Sequence, residues 1–165
     1  MAKRQVFFSF HYNNDSWRAG QVRNMGKVDS SSTFSDNDWE EVKEKTESKI
    51  KEWIDEQLDK RSCLVVLIGK ETSNRKWIDY EIKKAYNLNK GIVGIYIHKL
   101  KNASGEQDSK GNNPFDNHII NGVLMSEYVK CFESDWITSD NVYNDIKENI
   151  EELIEYGINH RPSSW

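Results

Sequence analysis

The sequence predicts an α/β fold of three layers, with a central, mainly parallel sheet of four to five strands and helices on both faces. Two observations carry this expectation. Three apolar runs, "QVFFSF" (5–10), "CLVVLI" (63–68) and "IVGIYI" (92–97), are continuous rather than alternating, as strands covered on both faces are. Helical periodicity fills the intervals between them, and strand–helix alternation is the signature of parallel α/β architecture.

The elements follow in order. After the first strand, a short helix is expected from about Asp15 to Asn24. The stretch 38–61 puts Trp39, Val42, Ile50, Trp53, Ile54 and Leu58 on one side of a long helix, with Ser35, Asp36 and Asn37 as N-cap oxygens ahead of it. "NRKWIDYEIKKAYNLNK" (74–90) is a third helix, between the second and third strands. "EYVKCFE" (127–133) is a weaker fourth strand. A last helix, about 140–156, carries Val142, Ile146, Ile150, Leu153 and Ile154 on one stripe and is expected to stop at Gly157. The Ser-rich stretch 26–36 and the Gly/Asn-rich stretch 101–117 read as loops, the first sitting where doubly wound folds often place a second strand.

The chain has 165 residues, 30% charged and 36% apolar, with net charge −4. That length suits a single domain over 1–165. Without a concentrated basic patch, nucleic-acid binding by phosphate neutralisation is not expected. The apolar start before His11 is too short for a signal peptide and no stretch approaches a membrane span, so a cytoplasmic protein is expected. Cys63 and Cys131 each lie within an apolar run and read as buried thiols; with four scattered histidines they give no metal-ligand spacing.

Ligands of open parallel sheets sit beyond the carboxyl ends of the strands. The loop after the first strand, "SFHYNNDSWR", has no glycine, so it is neither a dinucleotide fingerprint nor a flavin-phosphate loop. "IGKETS" (68–73) lacks the upstream glycine of a phosphate loop. What remains is a group of aromatic and polar residues, Ser9, Phe10, His11, Tyr12, Asn14, Asp15 and Arg18, which Trp77 and Glu81 can join from the third helix. Glu81 is the anomaly there. Stepped at about 100° per residue, Trp77, Leu88, Ala85, Ile78 and Ile82 share one sector, and Glu81 falls inside it. A carboxylate on a buried face is costly unless partnered. Two explanations stand: an ion pair with Arg18 or Arg75, or a ligand opposite.

These same residues resemble TIR-like domains. "VFFSFHYNNDSWR" resembles the TIR opening, an apolar strand ending in Ser-aromatic with an Asp shortly after. "WIDYE" resembles the segment holding the glutamate of NAD-cleaving members. "VRN" (22–24), "LIG" (67–69) with "NRKWIDYEI", and "SKGNNPFD" (109–116) resemble the ThsB type found in Thoeris antiphage systems. The resemblance runs from residue 2 to about 116. It departs from the pattern at Ile78, where many enzymatic members have cysteine, and in 26–36, which replaces the usual second strand and its loop.

The resemblance implies a flavodoxin-like, TIR-like fold and NAD+ as substrate, with no metal and no resident cofactor. Glu81 would be catalytic, stabilising the oxocarbenium-like state as nicotinamide leaves the ribose. Trp77 would wall the pocket or stack on a ring, Phe10 and Tyr12 would add apolar surface, and His11, with Ser9 and Asn14 beside it, would hydrogen-bond substrate. Arg18 would meet the diphosphate. The implied partners are an effector reached through a nucleotide messenger, other TIR domains in self-association, and a phage-derived trigger. A non-catalytic TIR-like adaptor and a nucleotide sensor are the competing readings.

Overall fold

The computed structural model describes residues 3–29 and 45–165. Its main sheet has four strands, β1 (Val6–Ser9), β2 (Cys63–Ile68), β3 (Gly91–Tyr96) and β6 (Lys130–Phe132), side by side in that order. All three pairings are parallel, with Ser9 opposite Val66 and Val66 opposite Gly94. Every position of β1, β2 and β3 is buried, which is why those runs lack polar alternation.

Helices cover both faces. On one, Val6, Phe8, Val65 and Ile95 meet α1 (Tyr12–Arg23) and α4 (Ser139–Asn159). On the other, Phe7, Leu64, Val66 and Ile92 meet α2 (Glu47–Asp59) and α3 (Lys76–Asn87). The expected α/β architecture of parallel strands and flanking helices is present.

Several boundaries differ from expectation, each for a local reason. The long helix expected over 38–61 is described as Glu47–Asp59, started by the Thr46 hydroxyl, which accepts the Lys49 amide at 3.4 Å. The proposed caps Ser35, Asp36 and Asn37, the inward positions Trp39 and Val42, and most of the loop 26–36 lie outside the described residues. Gly157 does not end α4, which runs on to Asn159. Its lack of a side chain serves contact instead: a Cβ on Gly157 would sit 2.6 Å from Val93 Cγ1, and one on Gly91 would sit 2.9 Å from the Gly157 backbone. The helix thus lies directly on β3.

Between β3 and β6 the chain forms a small hairpin, β4 (Ile119–Ile120) and β5 (Val123–Leu124). Its turn is Asn121–Gly122, both at positive φ (52° and 81°), the dipeptide that a tight hairpin turn requires. Cys63 and Cys131 are free thiols. No helix among the described residues is long and apolar enough to cross a membrane.

Candidate functional site

Strand alternation sets the site. Because Val6 and Phe8 face α1 and α4, Ser9 points with Phe7 towards α2 and α3. α3 begins after the turn that follows β2, and its buried positions are Ile78, Glu81, Ile82 and Ala85. Glu81 therefore enters the layer between helix and sheet, 5% exposed, with Ser9, 1% exposed, facing it from the end of β1.

Neither arginine that could neutralise Glu81 does so. Arg18 is bound to Asp15 at 3.1 Å and Asp108 at 2.9 Å, and Arg75 leans on Glu71 at 3.7 Å. Burial pushes the Glu81 carboxyl up to about 8, and the nearby Ser9 hydroxyl draws it only partly back. Ser9 Oγ and Glu81 Oε2 are both sealed from solvent, and among the described residues neither completes a hydrogen bond of good geometry. A folded protein keeps so few orphaned polar atoms that each calls for an explanation.

The other orphans fall at the same edge of the sheet. Besides Ser9 Oγ and Glu81 Oε2 they are His11 Nδ1, Asp15 Oδ2 and His98 Nδ1, with Arg61 Nε as the exception. His11 and Asp15 follow the end of β1, and His98 follows the end of β3. Parallel strands present their carboxyl ends along one edge, so these atoms crowd the rim where such folds hold ligands.

The predicted residues do not all come together. Ser9, Glu81 and Trp77 belong to the α3 side, Trp77 one turn before Glu81 and packed edge-on to Tyr80 at 5.8 Å. His11 stands at the rim, its Nδ1 3.8 Å from Glu71 Oε2, its pKa lowered by burial and then by Arg75. Phe10 and Tyr12 turn the other way and pack in the α1/α4 core, with their rings 6.4 Å apart.

Arg18 is enclosed. Its Nε donates to the Leu100 carbonyl at 2.7 Å and Nη2 to the Glu106 carbonyl at 2.9 Å, while Nη1 serves Asp15 and Asp108. With zero exposure and its donors committed to protein acceptors, it cannot reach a diphosphate in this structure. Asn14 joins the same network, donating to Asp15 at 3.1 Å and Asp108 at 2.9 Å. The cluster clasps the 100–108 stretch to α1.

Residues 7–102 match the model of a family described as "Thoeris protein ThsB, TIR-like domain". The chain belongs to this family. Over 121 residues it is also 41% identical to a protein of Bacillus cereus (strain MSX-D12) named "Putative cyclic ADP-D-ribose synthase ThsB1". That match covers 70% of this chain and 62% of the relative's own length. Ser9 and Glu81 lie inside the part that matches the ThsB family.

Several contacts that shape this ThsB-type rim are not legible in the sequence. Asp108 lies 94 residues from Asn14, so only the fold reveals their contact. Gly69 abuts the buried Asp15, whose Oδ2 would lie 2.0 Å from a Cβ there. Thr72 pins the turn after β2 by accepting the Gly69 amide at 2.8 Å. That turn is the "GKET" stretch that fails as a phosphate loop; its threonine holds backbone instead. Gly111 presses on the same turn, where a Cβ would meet the Gly69 carbonyl at 2.2 Å.

Proposed function

We propose that this chain processes NAD+, cleaving the bond between nicotinamide and ribose, with Glu81 as the catalytic carboxylate. The observation that carries this reading is an acid held inside the sheet–helix layer with no cation beside it among the described residues. An inward glutamate that serves stability is ordinarily paired, and this one is not. The family membership and the name of the Bacillus cereus relative support the same reaction.

The chemistry follows from charge. Burial keeps the carboxyl largely protonated at neutral pH, pushing its pKa up to about 8. A pyridinium ring brought against it favours the ionised form, as any nearby positive charge does. As the glycosidic bond stretches, positive charge moves to the anomeric carbon, and the carboxylate stabilises it in a low-dielectric setting. Nicotinamide departs neutral and needs no strong general acid. Ser9 lies beside the carboxylate to hold it or to meet a ribose hydroxyl, and Trp77, one turn away, would contribute aromatic surface to the pocket wall. Because Glu81 is 5% exposed, substrate reaches it only as the groups packed around it shift.

Attack on the cation by water gives ADP-ribose. Attack by an atom of the bent ADP-ribose itself gives a cyclic product, and the relative's name favours that outcome. In this reading the cyclic or modified ADP-ribose is the signal that activates a partner effector in antiphage defence. Mass spectrometry of nucleotides after incubation with NAD+ tests it, at high protein concentration and with or without lysate of infected cells. Nicotinamide and a cyclised ADP-ribose are expected. NAD+ left intact under every condition, while the protein forms stable complexes with other TIR domains, would establish the adaptor reading instead.

A further inference from the structure

Arg18 is locked inside the protein and is therefore not the cation that meets the diphosphate of a dinucleotide. We infer that Arg75, at the start of α3, forms the diphosphate subsite, an inference that rests on the NAD+ reading above.

Three observations place it there. Arg75 is close enough to the rim to lower the pKa of His11, which lies two residues beyond Ser9. It is also lightly held. Its Nε donates to the Glu71 carbonyl at 3.0 Å, but Nη2 stands 3.7 Å from Glu71 Oε2, and both side chains are about half exposed. An ion pair this long and this wet is worth little, so an incoming anion displaces it at small cost. The neighbouring cation is held at shorter range: Lys76 pairs with Glu47 at 2.9 Å and lies 5.1 Å over the Trp77 ring.

The geometry of the helix supports the assignment. Arg75 is the N-cap residue of α3 and makes no side-chain cap bond. The Arg75 side chain thus leaves the first amides of the helix uncapped, and a phosphate oxygen gains from such amides as well as from a guanidinium. From Arg75 to Glu81 is six residues, a rise of about 9 Å along the axis. That separation suits a ribose at Glu81 whose 5′-phosphates run back to the helix start. The turn that carries Arg75 is rigid, fastened by Thr72 to Gly69 and Leu67 and overlaid by Gly111. Glu71 acts as the internal anion that diphosphate replaces, and its carboxylate lies 3.8 Å from His11.

Binding of ADP-ribose, measured by calorimetry, tests the subsite without requiring any bond cleavage. Arg75→Gln is expected to weaken ADP-ribose binding at least about tenfold, the scale of one lost charge-assisted hydrogen bond. Arg75→Lys should recover part of that loss, and Glu71→Gln should tighten binding by freeing the guanidinium. Adenosine, which lacks the diphosphate, should bind the wild type and Arg75→Gln alike. Arg75 is exposed, so an unchanged thermal midpoint will show that the variant is folded. Wild-type protein that binds ADP-ribose through Arg75 but leaves NAD+ uncut would sustain the subsite while overturning the enzymatic reading. ADP-ribose affinity equal in wild type and Arg75→Gln, or no binding at all, would overturn the subsite.

Discussion

At the scale of single residues, Glu81 and Arg18 are opposite solutions to one difficulty. Both place a charge in the interior. Arg18 is surrounded by acceptors, and its positive charge is matched by Asp15 and Asp108. Among the described residues Glu81 has only the Ser9 hydroxyl as a polar neighbour, and burial keeps the proton on at neutral pH. The stability consequence can be signed. The unfolded carboxyl titrates near 4.5 and the folded one near 8. Between those values the folded state binds more protons than the unfolded state, so stability falls as pH rises through that window. Glu81→Gln removes the titration. Denaturant unfolding is expected to show the variant gaining on wild type from pH 5 to pH 8 and holding a constant advantage above it. A stability difference that does not change with pH would contradict the burial described here. Asp15, raised to about 6 by burial, tilts both proteins equally and cancels in the comparison.

At the scale of elements, close backbone approach decides what the glycines do. Replacing glycine by alanine inside an exposed helix ordinarily stabilises by about 1 kcal/mol. At Gly157 the sign should reverse, because the new methyl meets Val93 Cγ1 at 2.6 Å. Forcing α4 off β3 is expected to cost about 1–3 kcal/mol, read as a lower midpoint in thermal or denaturant unfolding. A more stable Gly157→Ala would show that the helix rides higher on the sheet.

The same elements show what the sequence disclosed. β2 was legible residue by residue from "CLVVLI", because a strand buried on both faces needs no polar position. Glu81 stood out because helical periodicity converts one polar residue among apolar ones into a place in the core. Arg18 was misplaced as a ligand contact because its partners, Leu100, Glu106 and Asp108, are more than 80 residues away, beyond any local pattern. Adjacency in sequence puts Phe10 and Tyr12 beside Ser9 and His11, yet the chain turns at the strand end and carries them to the opposite face. The β4–β5 hairpin went unread inside 117–126, although Asn121–Gly122 between "II" and "VL" announces it.

At the scale of the molecule, a parallel sheet in the order β1-β2-β3-β6 gathers the uncompensated polar atoms of the described residues, Arg61 Nε excepted, along one rim, and α3 drives one acid inward beside it. The fold thus tolerates a costly carboxylate where a binding reading expects the reacting bond, and the surrounding core sustains that cost. The most direct measurement is nicotinamide release from NAD+ by wild type and by Glu81→Gln, each checked for an intact fold. The account predicts a loss of at least about a hundredfold in turnover, the scale for removing one electrostatic stabiliser of the transition state. Equal release by the two proteins would contradict it.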